Sequence, residues 1–331
     1  MAVLCSSEDD TRADSHPDDG SGFVLAHLSD LHFACLETMR PQDFLGKRTL
    51  GYLRWRFGRQ TGHDDELLTI LRRDLQRTKP DHTVITGDLT HLGLPAEFIK
   101  ARAYLDSLGP ADRVTVLPGN HDTYVSTPWQ DTFAHWLDYM TADQESATAQ
   151  PQRLQMLYPT VRLRGPVALI CISTARPAKL HLADGAIGKA QLARLETILQ
   201  RLADQPLFQI VALHHPPVAG VVDGRKCLTD MAALQQLLGR YPVHLVLFGH
   251  AHRTLTTQMV TGAGTVPVLG VSSAAALAGH REKRAAYLLY RIQTGRPGTW
   301  QLTVCRRIFS LRQRCFIDYD RQHLTLPMPA I

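Results

Sequence analysis

Short, nearly continuous apolar runs recur along the chain. They occupy residues 23–29 (FVLAHLS), 82–87 (HTVITG), 113–119 (RVTVLPG), 167–173 (VALICIS), 208–214 (FQIVALH) and 243–249 (VHLVLFG). Each is bounded by Gly, Pro or Asp and partly β-branched, which predicts strands covered on both faces. Helical spacing lies between them. Leu67, Leu68, Leu71 and Leu75 mark one helix over 64–78, and others are predicted over 96–108, 189–202 and 229–238. Alternating strand and helix gives an α/β class. Runs at 265–273, 285–292 and 299–308 follow with little helix between them and predict a second, more antiparallel sheet. With no internal repeat and no linker, residues 23–331 are expected to form one domain.

Composition narrows this only a little. The 331 residues are 44% hydrophobic and 20% charged, ordinary for a globular chain. No apolar run reaches the ~18 residues of a membrane span. Six scattered cysteines without a CxxC disfavour a disulfide scaffold or zinc ribbon and suit a reducing cytoplasm. Residues 1–22 carry six acids against Arg12 and read as a disordered acidic tail, not a secretory leader. The chain's net charge of +5 then leaves +10 on residues 23–331. A basic body favours an anionic partner or substrate, although basic surface composition alone accounts for it equally well.

The chemistry sits where the apolar runs end. Residues 23–29 lead into Asp30-Leu31-His32, and 82–87 into Asp88. Residues 113–119 lead into Asn120-His121-Asp122. The next two runs deliver His214-His215 and His250-Ala251-His252. Five strands thus present imidazole, carboxylate and amide oxygen at their C-terminal ends, the edge where open α/β sheets build sites. These are ligands for hard-to-borderline metals, and no cysteine joins them. In an extended segment Asp30 and His32 share a side, as do His250 and His252. Gly87, Gly119 and Gly249 are expected to supply sharp turns. A lone Asp or His at a strand end is usually a turn residue; five such ends together are not explained that way.

D-x-H, G-D, G-N-H-D, H and G-H-x-H appear in that order over residues 23–252, so the sequence resembles the calcineurin-like metallophosphoesterases. The resemblance implies a four-layer α/β/β/α sandwich of two mixed sheets flanked by helices, around two divalent metal ions (Mn, Fe or Zn). Carried over by position, Asp30, His32, Asp88 and His252 hold one metal. Asp88, Asn120, His214 and His250 hold the other, with Asp88 bridging. His121 would act catalytically on the transition state or the leaving oxygen, with Asp122 orienting its ring. His214 is assigned as the ligand, leaving His215 to face substrate or support the site. The implied reaction is attack of a metal-bound hydroxide on phosphorus, with no organic cofactor.

The text GDLTHLGLPAEF (87–98) resembles the cyclic-nucleotide and glycerophosphodiester phosphodiesterase branch, although His91 departs from it. A small anionic phosphoester is therefore the expected substrate. Residues 44–59 interleave Lys47, Arg48, Arg54, Arg56 and Arg59 with aromatics and carry no acid. They suit either a helix packing its aromatics inward or a contact with an amphiphile, with Arg54 and Trp55 as candidate substrate contacts. The second option leads to an alternative: a UDP-diacylglucosamine-type lipid pyrophosphatase, peripheral at the inner membrane surface. The nine bases within 281–314 would support that surface role, but the outward face of an antiparallel sheet explains them better. Nucleic acid is disfavoured for want of a binding module. A non-catalytic scaffold is disfavoured because every signature position is intact.

Overall fold

The computed structural model describes residues 22–44, 46–58, 65–143, 153–177, 181–261, 264–277 and 283–328, apart from the side chains of Arg54, Trp55 and Phe57. The acidic segment before Gly22 lies outside the described residues. Two six-stranded mixed sheets stack face to face. The first runs β12-β11-β10-β1-β2-β3, from β1 (Phe23–Leu28), β2 (His82–Ile85), β3 (Val114–Val116), β10 (Ala286–Thr294), β11 (Thr299–Ser310) and β12 (Cys315–Pro327). The second runs β4-β5-β6-β7-β9-β8, from β4 (Thr160–Arg164), β5 (Val167–Cys171), β6 (Phe208–Ala212), β7 (Leu245–Phe248), β8 (Leu255–Thr261) and β9 (Gly264–Gly270).

The period-2 rule explains the layers. On β5, Val167, Leu169 and Cys171 face the core between the sheets, while Ala168 and Ile170 face helices α4 (Lys189–Leu202) and α5 (Met231–Leu238). On the far side, α2 (Asp65–Thr78) and α3 (Pro95–Leu108) bury Leu67, Leu71, Phe98 and Leu105 against the first sheet. The order is helix, sheet, sheet, helix. Each sheet keeps a parallel half, β1-β2-β3 and β5-β6-β7, whose strands end on the same edge.

The late strands correct one expectation. They do not form a separate antiparallel sheet. β10 pairs antiparallel with β1 and carries β11 and β12 with it, whereas β9 joins β7 in parallel. Pattern identifies a strand but not its neighbour: β1 had an open edge, and β10 covers it. The basic stretch is also not all outward. Arg307 is buried, its guanidinium forked onto Asp74 at 2.7 and 3.0 Å while Tyr287 Oη donates to the same carboxylate at 2.6 Å. This ties α2 to β10 and β11.

Candidate metal centre

The parallel strands end in a strained rim. Asp30, His32, Asp88, His250 and His252 all adopt left-handed backbone, with φ of 56°, 50°, 55°, 64° and 50°. The two D-x-H-like pairs therefore do not share a side by extended alternation. Each residue turns its side chain inward by entering the αL region, at an order-of-magnitude cost of about 1 kcal/mol apiece, least for Asp, Asn and His. Such strain persists where surrounding contacts over-determine it, and it clusters here at one edge. The glycines also work differently from expectation. Gly87 does turn the chain, at φ 100°. Gly119 and Gly249 have no positive φ; they supply room, since a Cβ at Gly119 would collide with the Asp88 carboxylate and one at Gly249 with the Ser29 hydroxyl.

The signature side chains converge in two groups. Ligand atoms of Asp30, His32, Asp88 and His252 lie within 4.8 Å of one another, and so do those of Asp88, His214 and His250. Asp88 belongs to both. Asn120 adjoins the second, its Oδ1 3.1 Å from His214 Nε2. Nearly all of these groups are buried.

The donor set fits cations. His32 Nδ1 lies 3.3 Å from the Thr90 carbonyl and His214 Nδ1 lies 2.7 Å from the Thr86 carbonyl. Those bonds place the proton on Nδ1 and leave an Nε2 lone pair facing the centre. His32 Nε2 then meets His252 Nε2 at 3.2 Å, and His252 Nε2 meets Asp30 Oδ1 at 3.2 Å. So close a gathering of acceptor atoms needs positive charge among them, a shared proton or a cation. Among the described residues, no hydrogen bond satisfies the buried Asp30 Oδ1 or His250 Nε2. The field agrees: burial works against a charge on His214, yet Asp88 and Asp30 push its pKa up to about 9. A centre that draws a proton this strongly draws a divalent cation by the same field. For Asp88, burial is outweighed by His214, His121 and His32, which hold its carboxyl well below the usual range.

One assignment needs correction, and one open choice narrows. Asp122 does not orient the His121 ring. Its carboxylate accepts from the backbone N–H groups of Asp88 (3.0 Å), Thr90 (2.8 Å) and Gly119 (2.8 Å) and from the Thr90 hydroxyl (2.9 Å), so it ties the second and third motif loops together. His121 Nδ1 instead bonds the His91 carbonyl at 2.6 Å. His215 does not face substrate. It is fully buried, with Nδ1 2.7 Å from the Thr174 hydroxyl, Nε2 3.2 Å from the Ala183 carbonyl, and its ring against His250 at 4.4 Å. The side chains of Arg54 and Trp55 lie outside the described residues.

Sequence reading missed several groups at the site. A cavity of about 490 Å³ opens over Asp88, Asn120, His121, His250 and His252. Its rim carries the cations Lys47, Arg225, Lys226 and Lys283 beside His181 and Asp223, with Tyr124 beneath Lys47 at 4.5 Å from ammonium to ring centre. Lys47 opens helix α1 (Lys47–Gly58), so the basic-aromatic segment begins at the site. No signature pattern marks the rest, which arrive from three separate segments, Arg225 and Lys226 being neighbours on one turn. Glu97 was legible in part: Pro95 and Glu97 fall at the first and third positions of α3, a helix-start pattern.

Known proteins are similar to this chain in sequence or in fold. A cAMP/cGMP dual specificity phosphodiesterase of Mycobacterium tuberculosis is 29% identical over 256 residues, covering 75% of this chain and 67% of its own. The glycerophosphodiester phosphodiesterase GpdQ of Enterobacter lignolyticus is 28% identical, covering 71% of this chain and 73% of its own. Among solved structures, a dimetal phosphatase from Danio rerio superposes with a TM-score of 0.57 at 14% identity, covering 92% of this chain and 99% of its own. The lipid pyrophosphatase alternative finds no support in these relatives, and no helix among the described residues is long and apolar enough to cross a membrane. The sequence profile of the calcineurin-like phosphoesterases matches residues 23–254, and the chain belongs to that family of metal-dependent hydrolases.

Proposed function

We propose that this chain hydrolyses a small phosphodiester, of the cyclic-nucleotide or glycerophosphodiester type, using two divalent cations. The observation that carries the reading is the Asp88 carboxylate standing in both ligand groups at once. Asp30, His32, Asp88 and His252 would hold one cation, and Asp88, Asn120, His214 and His250 the other. Mn, Fe and Zn all suit imidazole and carboxylate donors. Bound there, a cation pair supplies Lewis acidity toward phosphoryl oxygens and acidifies water.

The chain's own residues supply the rest. The cationic rim attracts and orients an anionic substrate over the centre. His121 lines the same cavity with its Nδ1 held by the His91 carbonyl, which presents Nε2 to the leaving oxygen. Asp122 keeps the loops bearing Asp88 and His121 in register through the four hydrogen bonds described above. The named activities of the relatives agree with a diester substrate.

A panel tests this. Protein loaded with Mn²⁺, Fe²⁺ or Zn²⁺ is offered cAMP, a glycerophosphodiester, a phosphomonoester and UDP-diacylglucosamine. A diester is expected to exceed the monoester at least about tenfold in kcat/KM. Preference for the monoester overturns the reading. Preference for the lipid nucleotide, lost in a Trp55→Ser/Phe57→Ser variant, restores the pyrophosphatase alternative.

A further inference from the structure

Beside the ligand groups, the segment joining Thr90 to α3 is gripped from two sides. The N–H groups of His91, Leu92 and Leu94 all donate to one oxygen, Glu97 Oε2, at 3.2, 2.8 and 3.0 Å. The carbonyls of Leu92 and Gly93 accept from Arg48 Nε at 3.2 Å and Nη2 at 2.6 Å. Helix α1 can press this close because residue 51 is glycine: a Cβ there would strike Leu92, and would lie 2.8 Å from the Tyr124 hydroxyl. A helix start needs only the bond from Leu94 N–H to Glu97. The other two bonds reach back into the loop. Glu97 is fully buried, and a buried carboxylate is a costly way to begin a helix.

The loop's remaining job is visible at its first residue. The His91 carbonyl accepts from His121 Nδ1 at 2.6 Å, and the two rings stack at 5.8 Å with 25° between planes. Resting on the proposed function, we propose that Glu97 and Arg48 are positioning residues for His121. By clamping the donors and acceptors of residues 91–94, they fix the His91 carbonyl, and that carbonyl fixes which ring nitrogen of His121 faces the cavity. The step served is displacement at phosphorus: the oxygen of a water bonds to phosphorus as the P–O bond to the leaving oxygen breaks. The electron pair of the broken bond stays with the leaving oxygen, which takes a proton from Nε2 of the doubly protonated His121 ring. Nδ1–H stays on the His91 carbonyl, and the proton shed by the attacking water restores the ring. Helix α1 thereby belongs to the site through its first turn.

The test separates positioning from plain structure by leaving group. A p-nitrophenolate departs without a proton; an alkoxide needs one. Wild type, Glu97→Ala, Glu97→Gln and Arg48→Ala are assayed with Mn²⁺ on bis(p-nitrophenyl) phosphate and on a dialkyl phosphodiester. Metal content is measured throughout, and the His121 tautomer is read by ¹⁵N NMR of the Zn²⁺-loaded protein. Glu97→Ala is expected to lose about 30-fold or more in kcat on the alkyl ester and under about 3-fold on the aryl ester. KM and metal content should hold within about twofold, and the fixed Nδ1–H signature should be lost. Glu97→Gln keeps an acceptor oxygen and should recover part of the loss. Arg48→Ala should show the same pattern more weakly, and it decides the matter if Glu97→Ala does not fold. Equal losses on both esters, with the tautomer retained, overturn the proposal. A wild type inactive on both esters overturns the proposed function instead, while the NMR arm still decides whether Glu97 and Arg48 set the ring.

Discussion

Two populations of buried histidine occupy this molecule, and they share little besides the side chain. His32, His214 and His250 stand at strand ends beside carboxylates; the Nε2 atoms of His32 and His214 turn toward them, and among the described residues His250 Nε2 has no hydrogen-bond partner. His27, His82 and His244 lie within or beside the sheets. His27 bonds the hydroxyls of Thr86 at 2.9 Å and Tyr290 at 3.2 Å; His82 bonds Thr115 at 2.7 Å; His244 Nδ1 accepts from Gln209 N–H at 2.9 Å. Among the described residues, no carboxylate bonds any of these three rings. Burial alone thus makes a neutral packing residue. Burial among convergent ligand groups makes a candidate cation centre, and Asp30 and Asp88 are the carboxylates that converge there.

The sharpest way to break that comparison is to remove the shared carboxylate. Asp88→Asn keeps shape and one acceptor but deletes the charge that unites both ligand groups. It should lower diesterase kcat by about 10³-fold or more. Metal content by elemental analysis should fall from two ions per chain to one or none. Chelation should do the same to wild type, and re-added Mn²⁺ should restore only wild type. Two ions retained in Asp88→Asn would show that Asp88 does not bridge them.

A finer cut lies between neighbours. His214 and His215 are consecutive, and only the first turns toward Asp88, at 3.4 Å. His214→Ala should release one cation with a large activity loss. His215→Ala should keep both cations and instead lose about 2–4 kcal/mol of stability, since it empties a packed position and strips partners from Thr174 and Ala183. Metal analysis beside denaturant melts reads both outcomes. Metal lost from His215→Ala alone would reverse the assignment.

The contrast also explains what the sequence could and could not disclose. Strand cores and ligand positions are local: an apolar run followed by Asp30-Leu31-His32 or Gly249-His250-Ala251-His252 states its own chemistry. Three strands were missed, and each hides its pattern. β4 and β12 carry Arg162, Arg164, Asp318 and Asp320 within the strand, and β8 is an edge strand of mixed burial with Thr256, Thr257 and Gln258. The role of Asp122 differed from expectation, and the choice for His215 stayed open, because both depend on partners distant in sequence, Asp88 and Thr90 for one and Thr174 with Ala183 for the other. The cavity rim was illegible for the same reason. His181, Arg225 and Lys283 have nothing in common along the chain and meet only through the stacking of two sheets.

The smallest expected effect concerns the packing histidines and acid. Burial lowers the pKa of His27 and His82 from 6.5 to about 3 and that of His244 to about 4. Between those values and 6.5 the unfolded chain binds more protons than the folded one, so stability rises with pH and is lost as pH falls through that window. Glu97 runs oppositely: burial raises it from 4.5 to about 7, so its contribution is present below 4.5 and fades as pH rises to about 7. Three histidines against one acid leave a net loss on acidification. The site groups titrate too, so one histidine has to be isolated by difference. His82→Gln, compared with wild type by urea melts in chelator, should narrow the stability gap between pH 6 and pH 4 by about 1.4 kcal/mol per pH unit. The variant pays a constant cost for its altered packing at every pH, but only the slope reports the proton. Parallel stability curves for the two proteins would mean that His82 takes up its proton equally in both states, and burial in this sheet would then not be what keeps it neutral.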